Sequence, residues 1–295
     1  MEKKTSLLTV LSKELKIRLQ QVQSVIELTE EGNTIPFIAR YRKERTGALD
    51  EVQIREILDR WNYMQNLEGR KAEVLKAIEE QGKLTEELAA KIEAATKLQE
   101  VEDLYRPYKQ KRRTRASVAK EKGLEPFAQW LLSLPDVANL QEEAEKYINE
   151  ELEVVSIEEV LAGGRDIVAE FISDQADIRK WIRAETMKHG MIRSLVKDKE
   201  KDEKGVYENY YDFEEPIAKI VPHRILAMNR GEKEEVLKVT IEVNTEKILS
   251  YLERNFAPKG HPDVRQELLM AIEDSYKRLI QPSIEREVRN ELTER

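Results

Sequence analysis

The sequence predicts a mainly α protein, a multi-helical array that carries a small β insertion near residues 205–243. Three observations lead there. Apolar residues recur at steps of three and four along most of the 295 positions, the spacing that lines one face of a helix. Only one stretch, Leu237, Val239, Ile241 and Val243 interleaved with Lys238, Thr240 and Glu242, alternates with the period of a half-buried strand. Charged residues make up 37% of the chain and aromatics 6%, the balance found in long solvated helices.

Taken in order, Leu8, Leu11, Leu15, Leu19, Val22 and Ile26 form one stripe, so a single helix is expected over residues 5–31, stopped by Gly32 and Asn33. Asp50 with Gln53 three residues on reads as a capping box. It opens a long helix carrying Ile54, Ile57, Leu58, Trp61 and Met64 and running to Gln81 and Gly82. Thr85 caps the next helix, with Glu86 and Glu87 favourably placed in its first turn. Pro107 limits the helix that holds Val101 and Leu104, and Pro126 and Pro135 punctuate short helical hairpins. Ser156 with Glu159 reads as a second capping box, and Asp174 as the start of a helix carrying Ile178, Trp181 and Ile182. Trp130 and Trp181 fall on apolar faces and are expected in the core.

The mixed charges of 197–204 suit a solvated turn or hairpin tip, and the aromatic-rich 205–211 belongs with the β insertion. Helical spacing returns at 245–256 and 262–281, and Pro282 suits the first turn of a last helix. That helix has no glycine or proline stop, so the chain is expected to break off at a domain boundary. Three regions follow: a helical 1–198, a β-containing 199–244, and a helical 245–295 leading on to a further domain.

Composition removes several functions. There is no cysteine, hence no disulfide framework, thiolate catalysis or cysteine metal site, and a cytoplasmic location is expected. No 18-residue apolar run exists that would span a membrane. The eleven glycines form neither a P-loop nor a dinucleotide turn, and His189, His223 and His261 have no zincin spacing. Asp212, Glu214 and Glu215 cluster near the β element, but with 58 acidic residues such groups arise on solvated faces. The acidic run 141–160 reads in the same way. No catalytic residue, metal or cofactor is expected. A net charge of −8 argues against general coating of DNA, so any nucleic-acid contact must be local.

One segment could make that contact. Residues 105–115 hold Arg106, Lys109, Lys111, Arg112, Arg113 and Arg115 without a single acid, flanked by Tyr105 and Tyr108. Cations at this density can neutralise phosphates, and the tyrosines can stack on bases. The same cations can equally bridge to glutamates of neighbouring helices. A second candidate, 34–47, joins an apolar anchor of Ile35, Phe37 and Ile38 to Arg40, Arg42, Lys43 and Arg45. There the apolar side chains should be buried, leaving the cations to meet carboxylates on a partner helix or phosphates outside.

Residues 34–44 followed by 46–51 (Thr-Gly-Ala-Leu-Asp-Glu) resemble the signature of the N-terminal region of the bacterial Tex transcription-accessory family. Residues 81–85, 101–108 with the basic tail, 123–126, 162–167, 222–224, 230–232 and 276–280 are similar to that family in the same order, so the resemblance spans nearly the whole chain. It implies a helical scaffold with helix-turn-helix-like elements, in an elongated transcription protein related to a eukaryotic elongation factor. In the family this region precedes a YqgF domain of RNase H-like fold, a helix-hairpin-helix module and an OB-fold RNA-binding domain. It brings no catalytic residue to these positions. The expected role is therefore a non-catalytic bacterial scaffold that contributes weakly, by itself, to RNA or DNA binding. The alternative is a platform docking RNA polymerase, ribosomal components or the family's own C-terminal domains.

Overall fold

The structure, a computed structural model, describes every residue from Met1 to Arg295. The chain falls into two compact units, Met1–Tyr105 and Arg106–Arg295.

The first unit is all helix: α1 (Glu2–Leu15), α2 (Leu19–Glu30), α3 (Ile35–Tyr41), α4 (Lys43–Thr46), α5 (Glu51–Glu80), α6 (Glu86–Ala94) and α7 (Leu98–Tyr105). The single helix expected over 5–31 is two. Lys16 takes a left-handed conformation, φ 56°, and the Ile17 N–H reaches back to the Ser12 carbonyl. The stripe continues across the break because both helices face one core of Leu8, Leu11, Val22, Val25, Ile26, Ile54, Ile57 and Trp61. A shared apolar period thus hid a turn made without glycine or proline. The Asp50 and Gln53 capping box forms as expected, and Thr85 accepts the Leu88 N–H. Over the C-terminal half of α5, the buried Lys71 donates to the Glu93 carbonyl at 2.7 Å and to Glu68 at 3.2 Å.

The second unit continues through a 3-10 turn (Arg106–Tyr108) into α8 (Arg115–Glu121), α9 (Glu125–Leu132), α10 (Leu140–Glu145), α11 (Ile157–Ser173) and α12 (Ala176–His189). Then come β1 (Met191–Val196), β2 (Asp212–Pro216), α13 (Pro222–Lys233), β3 (Leu237–Glu242), α14 (Thr245–Phe256), α15 (Pro262–Asp274) and α16 (Gln281–Glu294). One apolar core runs from Ala116 to Leu292 and includes the strands. α11 packs against α8, α9 and α15. Its Gly163 and Gly164 allow that approach, because a Cβ on Gly164 would stand 2.6 Å from the Phe127 ring and one on Gly163 would collide with Leu124. On α12, the fully buried Arg179 donates to Ser283 and, at 2.8 Å, to Glu287 of α16, which also receives Arg183.

Several expectations change here. Asp174 does not open α12. It ends α11, and Gln175 is the residue before α12. The Ser156 hydroxyl caps α11 as expected, but the Glu159 carboxylate takes the N–H of Val155 rather than that of Ser156. The strands are antiparallel in the order β2-β1-β3, and they begin at Met191, inside the stretch read as helical. β1 lacks a clean alternation because its inward Ser194 is polar, its hydroxyl donating to the Tyr210 carbonyl at 2.7 Å. β3 has the expected register, with Leu237, Val239 and Ile241 buried.

The aromatic 205–211 is a turn built on Asp202, not a strand. That carboxylate accepts the N–H groups of Val206 and Tyr207 and the Tyr211 hydroxyl at 2.6 Å. Burial alone would raise the Asp202 carboxyl, yet these donors together hold it below its ordinary range. The Tyr211 hydroxyl, by the same hydrogen bond, is pushed up to about 12. Trp181 is half-buried and stacks on Tyr251 at 3.7 Å, and Trp130 is half-buried beside Phe127. Pro282 does sit in the first turn of α16, but no loop precedes it: a π-helical segment, Ser275–Ile280, joins α15 to α16. Widening the helix there accommodates a ring that cannot donate and that crowds the preceding turn.

Candidate nucleic-acid interface

The basic segment begins where α7 stops. Pro107 cannot extend an α-helix, so Arg106–Tyr108 tightens into a 3-10 turn and residues 109–114 form a loop. Thr114 ends the loop by capping α8: its hydroxyl accepts the Ser117 N–H at 3.0 Å while the Ser117 hydroxyl accepts that of Thr114 at 2.8 Å.

The six cations of this segment divide into two sets. Arg106 Nε donates to Asp174 at 3.1 Å, and Lys111 pairs with Asp174 and, at 3.3 Å, with Glu170. Both acids lie at the C-terminal end of α11, where unsatisfied carbonyls already make the potential negative, so cations beside two carboxylates there are favoured. Asp174 is 7% exposed, which makes this pairing an anchor for the loop rather than a surface contact. Lys109, Arg112, Arg113 and Arg115 are exposed and have no carboxylate within ion-pair distance. Arg115 nonetheless lowers the cost of charge on Asp166, whose burial pushes its carboxyl up against the pull of Arg278 and Arg115.

The aromatics of the segment are less available than their spacing suggested. Tyr105 closes the first unit with the Arg70 guanidinium over its ring at 5.4 Å, and Tyr108 is half-buried. Beside the anchor, Pro107, Lys120, Leu132, Phe171 and Asp174 line an open cavity of about 510 Å3. Phe171 is exposed there.

The second candidate is arranged differently. Thr34 caps α3 through the Phe37 N–H, and Phe37 meets Tyr41 at 5.1 Å. Ile38 is fully buried, while Ile35 and Phe37 are half-buried. The cations then fold back onto this unit. Arg42 lies over Phe37 at 5.1 Å, Arg40 over Tyr41 at 5.4 Å, and Arg45 pairs with Glu31 at 3.2 Å and Glu27 at 3.5 Å on α2. The carboxylate partners expected for this group serve Arg45. Lys43 is exposed without an ion pair.

The acids considered for metal binding are distributed along β2, and Glu215 pairs with Arg224 at 2.8 Å. No group of three or more His, Asp or Glu side chains is placed to hold a metal ion. His189 pairs with Glu185, and His261 caps α15. No helix is long and apolar enough to cross a membrane.

Asp174 and Glu170 do not stand out in the sequence as the loop's anchors. Their partners lie 59 to 68 residues away in the chain, and Asp174 carried a competing signal as a helix cap.

Residues 5–79 match the model of the Tex-like protein N-terminal domain, and residues 136–295 match the model of the Tex central region. A Bacillus subtilis protein called YdcI is 57% identical over the whole of this chain, which covers 41% of that relative. The transcriptional accessory protein Tex of Neisseria gonorrhoeae is 41% identical over 79% of the chain, and the chain covers 30% of it. The human S1 RNA-binding domain-containing protein 1 is 31% identical over 96% of the chain, again with 30% of its own length covered. The chain therefore spans well under half the length of these relatives.

Proposed function

The chain belongs to the Tex family, and from that premise we propose that it is a helical binding scaffold within a transcription accessory protein, holding nucleic-acid phosphates at the loop 109–114 and catalysing no reaction. The observation that carries this reading is the division of charge in the loop. Arg106 and Lys111 fix it to Asp174 and Glu170, so Lys109, Arg112 and Arg113 are presented from an ordered backbone with no internal carboxylate to compete for them. The names of two relatives, one a transcriptional accessory protein and one named for an RNA-binding domain, support the same setting. RNA or DNA and components of the transcription or translation machinery are the partners this implies.

The test is a titration of labelled single-stranded RNA and of duplex DNA with the chain and with a K109E/R112E/R113E variant. Lys111 is left alone because reversing it would break the anchor. Three phosphate contacts on duplex DNA predict an affinity loss of about 40-fold between 50 and 200 mM salt, and on single strands about 20-fold. The variant should lose that dependence.

A second reading has its own observation. The open cavity with its exposed Phe171 could seat an apolar side chain of RNA polymerase, a ribosomal protein or the family's C-terminal domains. Binding that survives added salt and fails in Phe171→Asp would favour that reading over phosphate contact.

A further inference from the structure

The two edges of the three-stranded sheet are treated differently. In the pairing of β1 with β3, Met191, Arg193 and Leu195 stand opposite Glu242, Thr240 and Lys238, and Lys197 donates to the Val236 carbonyl. This phase turns the backbone groups of Val239 and Ile241 away from β1, onto the outer edge of β3. Both are closed by side chains of α16: Arg289 Nη1 donates to the Val239 carbonyl at 3.3 Å, and Glu285 accepts the Ile241 N–H at 3.3 Å. Arg289 is itself held by Asn229 at 2.8 Å and Glu232 at 3.0 Å. No further strand can add there without displacing α16.

β2 has no such cover. Val196 donates to the Tyr211 carbonyl and Ile217 to the Gly190 carbonyl, which fixes 211, 213, 215 and 217 as the residues bonded to β1. The N–H and C=O groups of Asp212 and Glu214 therefore face outward, and no backbone or side-chain partner meets them; the Pro216 carbonyl is taken up by the 3-10 turn Ile217–Lys219 that follows. The side chains of Asp212 and Glu214 are exposed and unpaired beside those groups. Phe213, by contrast, faces inward against Tyr210 and the Arg224 guanidinium, so the strand is held from behind.

We infer that the outer edge of β2 accepts an extended protein segment with lysine or arginine at alternate positions. Two outward N–H groups and two carbonyls supply a short ladder, and an added strand would bring every second side chain next to Asp212 and Glu214, where a cation is attracted and an acid repelled. The same acids disfavour a second copy of this chain, because β2 against β2 sets like charges side by side. They also repel a phosphate backbone, so this surface is separate from the loop at 109–114.

The probe is a synthetic seven-residue peptide of alternating lysine and valine, with a glutamate and valine peptide as its counterpart. Amide exchange of the chain is followed with each. The amides of Asp212 and Glu214 should exchange freely alone and slow at least tenfold with the basic peptide, and remain unchanged with the acidic one. Glu214→Pro removes an outward donor without breaking a bond to β1, and should abolish the protection while far-UV circular dichroism stays native. Should that variant unfold, D212K/E214K tests the charge alone and should weaken binding at least tenfold. Absence of binding at peptide concentrations of about 1 mM, binding with Asp212 and Glu214 unprotected, or undiminished binding by either folded variant overturns the inference.

Discussion

Two basic segments of similar composition, 34–47 and 105–115, end in different electrostatic states. In the first, three of the four cations return to their own unit: Arg42 and Arg40 cover Phe37 and Tyr41, and Arg45 meets Glu27 and Glu31. In the second, two cations secure the segment, Arg115 acts on the buried Asp166, and Lys109, Arg112 and Arg113 remain in solvent. The difference does not lie in the number of cations. It lies in what surrounds them: 34–47 carries its own aromatic faces and packs beside the glutamates of α2, whereas 109–113 is a loop whose nearest acids are already occupied by Arg106 and Lys111. On the proposed reading, a basic run is left open to phosphate when a minority of its charges hold the backbone and most of the others find no ion-pair partner within the fold.

The sharpest way to break this contrast is to remove the anchor. Asp174→Ala leaves Arg106 and Lys111 without their shared, buried carboxylate. We expect a loss of about 2 kcal/mol, below the value for a fully buried pair because both cations are partly exposed. For a unit of this size that lowers the thermal midpoint by about 4–8 °C in calorimetry. An unchanged midpoint would mean the loop is not held by α11. Removing the loop's other fastening, by Thr114→Ala at the α8 cap, should cost about 1 kcal/mol in denaturant unfolding. The corresponding change in the first segment, Arg45→Ala, breaks only half-exposed pairs and should cost about 0.5 kcal/mol without altering nucleic-acid affinity.

The turn on Asp202 extends the comparison to a charge held wholly by its own fold. Its carboxyl lies below the ordinary range when folded, so its contribution is complete above about pH 3.9 and disappears as pH falls through the lower folded value. Tyr211 works in the opposite direction. Its hydroxyl, raised to about 12, contributes below about pH 10 and loses that contribution as pH climbs from there through 12. Asp202→Asn should flatten the acid limb of stability against pH and bring one tyrosine absorbance titration down toward the ordinary range. If both limbs stay as they were, the hydrogen bonds at 202–211 do not govern that turn.

What the sequence disclosed follows from how locally each feature is encoded. The cap at Asp50, the cap at Thr85 and the strand at Leu237–Glu242 were legible because the residues that make them lie within a few positions of one another. The break at Lys16, the strand at Met191–Val196 and the turn on Asp202 were not, since each depends on contacts that its own composition does not announce. Gly163 and Gly164 were visible as part of a family signature, but their reason, clearance for Leu124 and Phe127, needs the packed helices. The basic segment was equally legible as a run of cations. Which of them would be neutralised was not, because Asp174 and Glu170 are distant in sequence and α11 must form before they come near.

On the proposed reading, Lys109, Arg112 and Arg113, rather than the cations of 34–47, meet phosphate. The direct measurement is the salt slope of RNA and duplex DNA binding for two charge-reversal variants side by side, K109E/R112E/R113E and R40E/R42E/K43E. The first variant should lower the slope by about 2–3 and the second by about 1 at most. An unmodified chain that shows no salt-dependent binding, or a larger loss of slope in the second variant than in the first, would contradict it.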